Sequence, residues 1–250
     1  MTAAVYYDKG DLTSVQQDAL ALEIAALGKR EAALLVVCDG IGGLAEGEYA
    51  SSYVTMQVRN WFYGSYLRHL RRQHSTKRIV RDCAGMLYDC NRYLTRYGKE
   101  RGIRLGTTVT MALLRERRLF LWCPLFTFTG YLLFHAGDSR AYLTGRGCRG
   151  LTKDDSFGDH ALHRCIGSFP WRGVQRKRGY LRRGESILLC SDGFWRQLEE
   201  SEIAKSFGKK RSFRDADPGD VQLEKRLGKL GEAGRVRGEK DNQAAVIVCV

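Results

Sequence analysis

Strand-like and helix-like segments are sorted along this chain instead of alternating, and that sorting narrows the folds open to it. Short apolar runs occur at 32–38 (AALLVVC), 107–114 (TTVTMALL), 119–128, 131–136, 185–190 (ESILLC) and 244–250 (AAVIVCV). Between the first two lie two long stretches with apolar residues three and four apart. The first carries Ala50, Val54, Val58 and Trp61; the second carries Ile79, Cys83, Leu87, Cys90, Leu94 and Tyr97. That spacing puts each set on one face of a helix. A weaker repeat, Leu223, Leu227 and Leu230, predicts a third helix before the last strand. Strict alternation would indicate a doubly wound parallel sheet, whereas a helical pair followed by many strands indicates an α+β layered sandwich. A length of 250 residues fits one large domain or two small ones, and 3 prolines exclude a long Pro-rich linker. The Gly- and Arg-rich piece 208–238 reads as a mobile surface region.

One apolar stretch, 119–137, carries no Asp, Glu, Lys or Arg and is nearly long enough to span a membrane. Pro124 and Gly130 interrupt it, and Phe, Thr, Tyr and Trp dominate it, so two strands with a turn near Thr129-Gly130 are expected. No basic-then-apolar leader opens the chain. The 8 cysteines include no C-x-x-C pair, and several sit inside apolar runs, as small core residues do. Reduced thiols in a cytoplasmic protein account for them most simply.

The formal net charge of +13 is concentrated: residues 59–118 hold 15 Lys and Arg against 4 Asp and Glu. Such a field attracts phosphate-bearing partners, nucleic acid included, although a solvated basic helical face explains the same count. No RNA- or DNA-binding signature accompanies it, so no nucleic-acid partner is expected.

Acidic residues are scarce, which makes their positions informative. Asp39 (VVCDGIGG), Asp138 (FHAGDSRAY) and Asp192 (LLCSDGF) each follow an apolar run, and Asp241 (EKDNQAAVIV) precedes one. Each alone suits a turn or cap. Four strand-end aspartates can instead share a crevice and bind a hard cation such as Mg²⁺ or Mn²⁺. His and Cys clusters of the kind zinc prefers are absent from the sequence.

The segments DGIGGLAEGEYAS (39–51), GTT (106–108), GDSRAYL (137–143), LTKDDS (151–156), LLCSDG (188–193) and DN (241–242) occur in this order. Together they resemble the type-2C (PPM family) metal-dependent serine/threonine protein phosphatases, bacterial-like, from about Gln16 to Val250. The resemblance implies one domain over 1–250, a four-layer αββα sandwich, with two metal ions, Mn²⁺ or Mg²⁺, at one edge of the paired sheets. It implies that Asp39 bridges both ions, that the Gly40 carbonyl binds one, and that Asp192 and Asp241 hold the other. Asp138 matches the position that helps hold a weaker third ion. Asp18 matches an N-terminal acidic position that acts through water, and 152–170 matches the flap beside the site. Phosphorylated proteins, substrates of a cognate serine/threonine kinase, are the implied partners of a monomeric, non-membrane, cytoplasmic enzyme. Asp18, Asp39, Asp192 and Asp241 are then the catalytic set.

Three departures stand out. Bacterial relatives usually carry Arg where this chain has Thr13, and that Arg grips the substrate phosphate. Gln16 replaces a usual Asn, and Asp155 replaces the usual His of the D-H-S motif. The missing Arg keeps a second reading open, a catalytically weak pseudophosphatase that binds phosphoproteins as a regulatory module. A metal-dependent hydrolase of a different phosphoester is a variant of the first reading.

Overall fold

The computed structural model describes residues 1–41, 46–118, 127–157, 161–168, 170–208 and 219–250. In chain order the strands and helices are β1 (Thr2–Asp8), β2 (Asp18–Leu27), β3 (Arg30–Asp39), α1 (Gly47–Trp61), α2 (Leu67–Arg71), α3 (Thr76–Arg101), β4 (Val109–Arg118) and β5 (Thr127–Ala136). They continue as β6 (Arg140–Thr144), β7 (Cys148–Gly150), β8 (Ser156–Phe157), β9 (Ala161–Leu162), β10 (Gln175–Leu181) and β11 (Ser186–Cys190). Helices α4 (Asp192–Trp195), α5 (Glu200–Phe207) and α6 (Gly219–Val236) precede the last strand, β12 (Gln243–Cys249).

Two antiparallel five-stranded sheets form, in the orders β1-β12-β11-β6-β7 and β10-β5-β4-β3-β2. Three apolar clusters divide the side chains by strand face. Ala33, Leu35 and Val37 of β3 meet Ile187, Leu189 and Val246 of the other sheet. The alternate residues Leu34, Val36 and Cys38 pack under Val54 and Val58 of α1 and Leu87 and Leu94 of α3. On the opposite outer face, Leu223, Leu227 and Leu230 of α6 cover Leu188 and Ile247. Period-2 alternation in the strands and the apolar helix stripes therefore yield helix, sheet, sheet, helix: the four-layer αββα sandwich. Each fully buried Leu, Val or Ile side chain contributes ~1.5–3 kcal/mol of transfer free energy.

The helical spacings read from the sequence mark real buried faces; only Tyr97 among those residues is half-buried. Two expectations are corrected. Gly130 lies inside the continuous strand β5, paired with Arg115 on one side and Tyr180 on the other, so there is no turn at Thr129-Gly130. Residues 119–126 lie outside the described residues. The piece 208–238 is not wholly a surface coil, because α6 spans its second half and its leucine stripe is needed to cover the β1-β12-β11 sheet. Among the described residues, no helix is long and apolar enough to cross a membrane.

Candidate metal centre

Antiparallel pairing of β2 and β3 sets Asp18 directly opposite Asp39 at one end of the second sheet. The GTT segment clamps that end. Thr108 Oγ1 accepts from the Asp39 amide at 2.9 Å, and the Thr108 amide and Thr107 hydroxyl both donate to the Asp39 carbonyl, at 2.8 and 2.9 Å. The Asp39 backbone is thus held on both sides before its carboxylate does anything. The Gly40 amide donates to the Gln17 carbonyl at 3.1 Å. Any Cβ on Gly40 would run into the backbone of Gly47 and Gln17, so glycine is required there.

Asp138 follows β5, and its carbonyl accepts from Trp195 Nε1 at 3.1 Å. The Trp195 ring is itself covered by the Arg140 guanidinium at 3.3 Å, and Arg140 is forked onto Asp154. Asp192 opens the short helix α4 straight after β11. Asp39, Asp138 and Asp192 each offer a carboxylate oxygen, and these atoms all lie within 4.8 Å of one another. Asp241 lines the same cavity of about 210 Å³, together with Thr13, Gln17, Gly40, Thr108 and Asn242. Asn242 ties the N-terminal loop to the site: its Oδ1 accepts from the Gln17 amide at 2.7 Å and its Nδ2 donates to Thr13 Oγ1 at 3.1 Å.

The electrostatics of this cavity are unfavourable for bare carboxylates. Burial, with Asp18, Asp192 and Asp138 adding repulsion, holds Asp39 well above the usual carboxylate range. Burial raises Asp18 to about 8; a hydrogen bond with Ser191 opposes that shift, while Asp192 and Asp241 reinforce it. Burial and the charge of Asp192 push Asp138 up to about 6. Asp241 is also raised, first by burial and then by Asp192. Asp18 Oδ2 is buried with no hydrogen-bond partner among the described residues. Clustered oxygen ligands, like-charge repulsion and one orphaned carboxylate oxygen are what a hard divalent cation and its water would satisfy, so the residues fit Mn²⁺ or Mg²⁺.

All six expected positions gather at this end of the sandwich, but unequally. Asp39, Asp138 and Asp192 form the tight group, Gly40 and Asp241 line the same cavity, and Asp18 lies buried beside Asp39. Asp138, expected to help hold a weaker third ion, lies within the tight group beside Asp39 and Asp192. Sequence reading missed Arg196. It pairs with Asp192 and lies 3.8 Å from Asp241 and 3.9 Å from Glu239. Its only signal is the four-residue offset from Asp192, which has meaning once α4 forms its helical turn. Asp155, the unusual residue of the flap motif, is buried and acts as an anchor. It accepts from Arg164 at 2.8 Å and Gln175 at 2.9 Å, and its own amide donates to the Gly137 carbonyl beside Asp138 at 2.7 Å. Thr13 lies at the cavity, as its supposed equivalence to a phosphate-gripping Arg requires.

Comparison with known proteins bears on the family and the fold. A sequence family described as Protein phosphatase 2C matches residues 12–229. A bacterial serine phosphatase superposes with TM-score 0.78 at 23% identity, covering 100% of this chain and 98% of that one. The serine/threonine phosphatase Stp1 from Staphylococcus aureus gives 0.78 at 21% identity, covering 99% and 94%. The catalytic domain of the serine threonine protein phosphatase PstP, solved in complex with 2 manganese ions, gives 0.67 at 24% identity, covering 98% and 96%. No curated protein matches by sequence.

Proposed function

The chain belongs to the protein phosphatase 2C family, and from that premise we propose that it hydrolyses phosphoserine and phosphothreonine in proteins. The observation that carries the proposal is the convergence of Asp39, Asp138 and Asp192 within 4.8 Å, with Asp241 in the same cavity. Asp39, Asp138, Asp192, Asp241 and the Gly40 carbonyl would hold the ions, two tightly and a third more weakly. Divalent cations bound there supply positive charge for the phosphoryl oxygens and acidify the attacking water. Asp18, orphaned on one oxygen, would accept a hydrogen bond from that water and orient it. Thr107 and Thr108 fix the Asp39 backbone, and Asn242 holds the loop carrying Thr13 against the cavity. No cysteine or serine nucleophile is required.

Mn²⁺ in the PstP structure supports the choice of ion class, and the oxygen-only ligand set suits Mg²⁺ equally. The proposed enzyme is a cytoplasmic monomer of one domain over 1–250, and its substrates are those of a cognate serine/threonine kinase. One observation favours the pseudophosphatase alternative: no Arg or Lys is among the described residues lining the cavity, and Arg196 beside it is already paired with Asp192. A purified-protein assay on an aryl phosphate separates the two. The proposal expects turnover with Mn²⁺ or Mg²⁺ that stops on adding a chelator; a folded protein inert at every metal concentration would establish the alternative.

A further inference from the structure

The end of the β10-β5-β4-β3-β2 sheet opposite Asp39 carries a second feature of equal definition. Alternation places Arg30 of β3 on the same side as Ala32 and Leu34, and Arg115 and Arg117 of β4 on the same side as Met111 and Leu113. That side faces the helices. Register brings in the next strands: Arg115 pairs with Gly130, which pairs with Tyr180, while Arg117 pairs with Phe128 and Arg178 with Leu132. Four arginines from three strands therefore share one face. The nearby acids Glu31 and Glu116 alternate toward the opposite face, where Glu116 Oε2 accepts from the Glu31 amide and Glu31 pairs with the Met1 amino group; at the sheet's end they line, with Arg30 and Arg115, a neighbouring cavity of about 580 Å³.

These residues line two adjoining cavities of about 390 and 420 Å³, which share Thr76, Arg115 and Arg117 as walls. No Asp or Glu is among the described lining residues of either. Gly130 forms part of the floor, where it pairs with Arg115 on one side and Tyr180 on the other and leaves the space above them open. The N-terminus of α3 opens onto the second cavity through Ser75 and Thr76 with no acid in its first turn, adding the positive end of a 26-residue helix to the arginines. Arg115 is half-buried; burial, with repulsion from Arg117 and Arg30, pulls it below the ordinary guanidinium value. Half-burying a guanidinium among like charges is costly unless an anion compensates. At the rim, Phe128 and Tyr180 meet edge-to-face, centroids 5.1 Å apart, and Tyr180 is 64% exposed.

We propose that this remote cavity binds a small phosphorylated organic ligand of nucleotide size, its phosphates on Arg30, Arg115 and Arg117 and its ring against the Phe128–Tyr180 pair. Guanidinium forks match phosphate oxygens bidentately, the volumes are those of ligand pockets, and an aromatic rim suits a planar ring better than it suits a bare anion. The strand β3 separates the two sites by nine residues, about 30 Å at the usual rise per residue, so the assignment stands whether or not the acidic end hydrolyses phosphoproteins.

Calorimetric titration of the full chain with ADP, in chelator so that no metal can recruit the nucleotide to the acidic end, tests it. One site per chain is expected, with binding weakened at least tenfold by Arg115→Gln with Arg117→Gln, and unchanged by Asp39→Asn. Gly130→Val raises the floor between Arg115 and Tyr180 without altering charge and suits a strand position, so it should also weaken binding at least tenfold while leaving the melting temperature near wild type. It serves alone if the double variant does not fold. Inorganic pyrophosphate should compete, but more weakly than ADP. Absence of saturable ADP binding, retention in Gly130→Val, or loss in Asp39→Asn would overturn the proposal. So would binding of a single-stranded oligonucleotide where ADP fails.

Discussion

The two ends of one sheet are built from the same strands and carry opposite charge. Strand β3 begins at Arg30 and finishes at Asp39; β4 starts beside the Asp39 clamp and ends in Arg115 and Arg117. The acidic end is wired in place. Thr107, Thr108 and Asn242 fix backbone around the carboxylates, and Asp18 is buried against them. At the basic end, strand alternation sets the arginines toward one face. The difference separates two uses of charge. Carboxylates that must share a cation need preorganised geometry, because misplaced ligands lose affinity. Long guanidinium side chains can adjust to an anion after it arrives.

The largest effect should come from the acidic end. Asp39→Asn is expected to lower kcat on an aryl phosphate by roughly 1000-fold, since Asp39 is proposed to bridge both ions and so to position each of them. Asp138→Asn should cost about 10- to 100-fold, the range for a group that tunes a metal site. Equal small effects, in variants with unchanged melting temperatures, would break the distinction between the two positions.

Next comes the pH dependence of stability. Asp18 and Asp138 have pKa values raised to about 8 and about 6, so protons bind the folded state more tightly than the unfolded chain. Their favourable contribution is complete below the unfolded carboxyl range and fades as pH rises through those folded values. In chelator, the melting temperature should therefore fall by roughly 5–10 °C between about pH 4 and pH 8. Saturating Mn²⁺ should remove most of that fall. A melting temperature that rises across this window in chelator would show that the carboxylates are not repelling one another.

Thr13→Arg should lower KM for an aryl phosphate by about tenfold with a smaller change in kcat, as a charge-assisted fork adds uniform binding. No change in KM, in a folded and metal-responsive variant, would mean that position 13 does not reach the phosphate. Arg196→Gln sharpens the same region. Arg196 pairs with a carboxylate that a cation also needs, so its removal should lower the Mn²⁺ concentration for half-maximal turnover by about 2- to 5-fold. The smallest effect is expected away from the cavity. Neutralising Arg71, Arg72 and Arg78 together should leave aryl-phosphate turnover within about twofold, because no charge near the acidic end changes, while reaction with an acidic phosphoprotein slows in a salt-dependent way.

Much of this arrangement is legible in the sequence because it is periodic or punctuated. The faces of α1 and α3 are marked by Val54, Val58, Leu87 and Leu94, and the three clustered aspartates each stand where an apolar run meets a glycine or its neighbour. Strand β2 leaves no such mark. Its sequence, DALALEIAAL, consists of good helix formers, and only pairing with β3 makes it a strand. Arg115 and Arg117 look like part of a diffuse basic block until the register sets them beside Gly130 and Phe128. Strand pairing, which joins residues far apart in the chain, is the information a single sequence states least directly.

The carboxylates at one end of the paired sheets are proposed to form a divalent-metal centre. Anomalous scattering from crystals of the full chain grown with Mn²⁺ tests it without relying on activity. Manganese peaks are expected in contact with Asp39, with Asp138, Asp192 or Asp241 completing the ligands, and they should vanish in Asp39→Asn. Crystals saturated with Mn²⁺ that show no peak among these aspartates, or show Arg196 still paired with Asp192 across an empty cavity, would contradict the account.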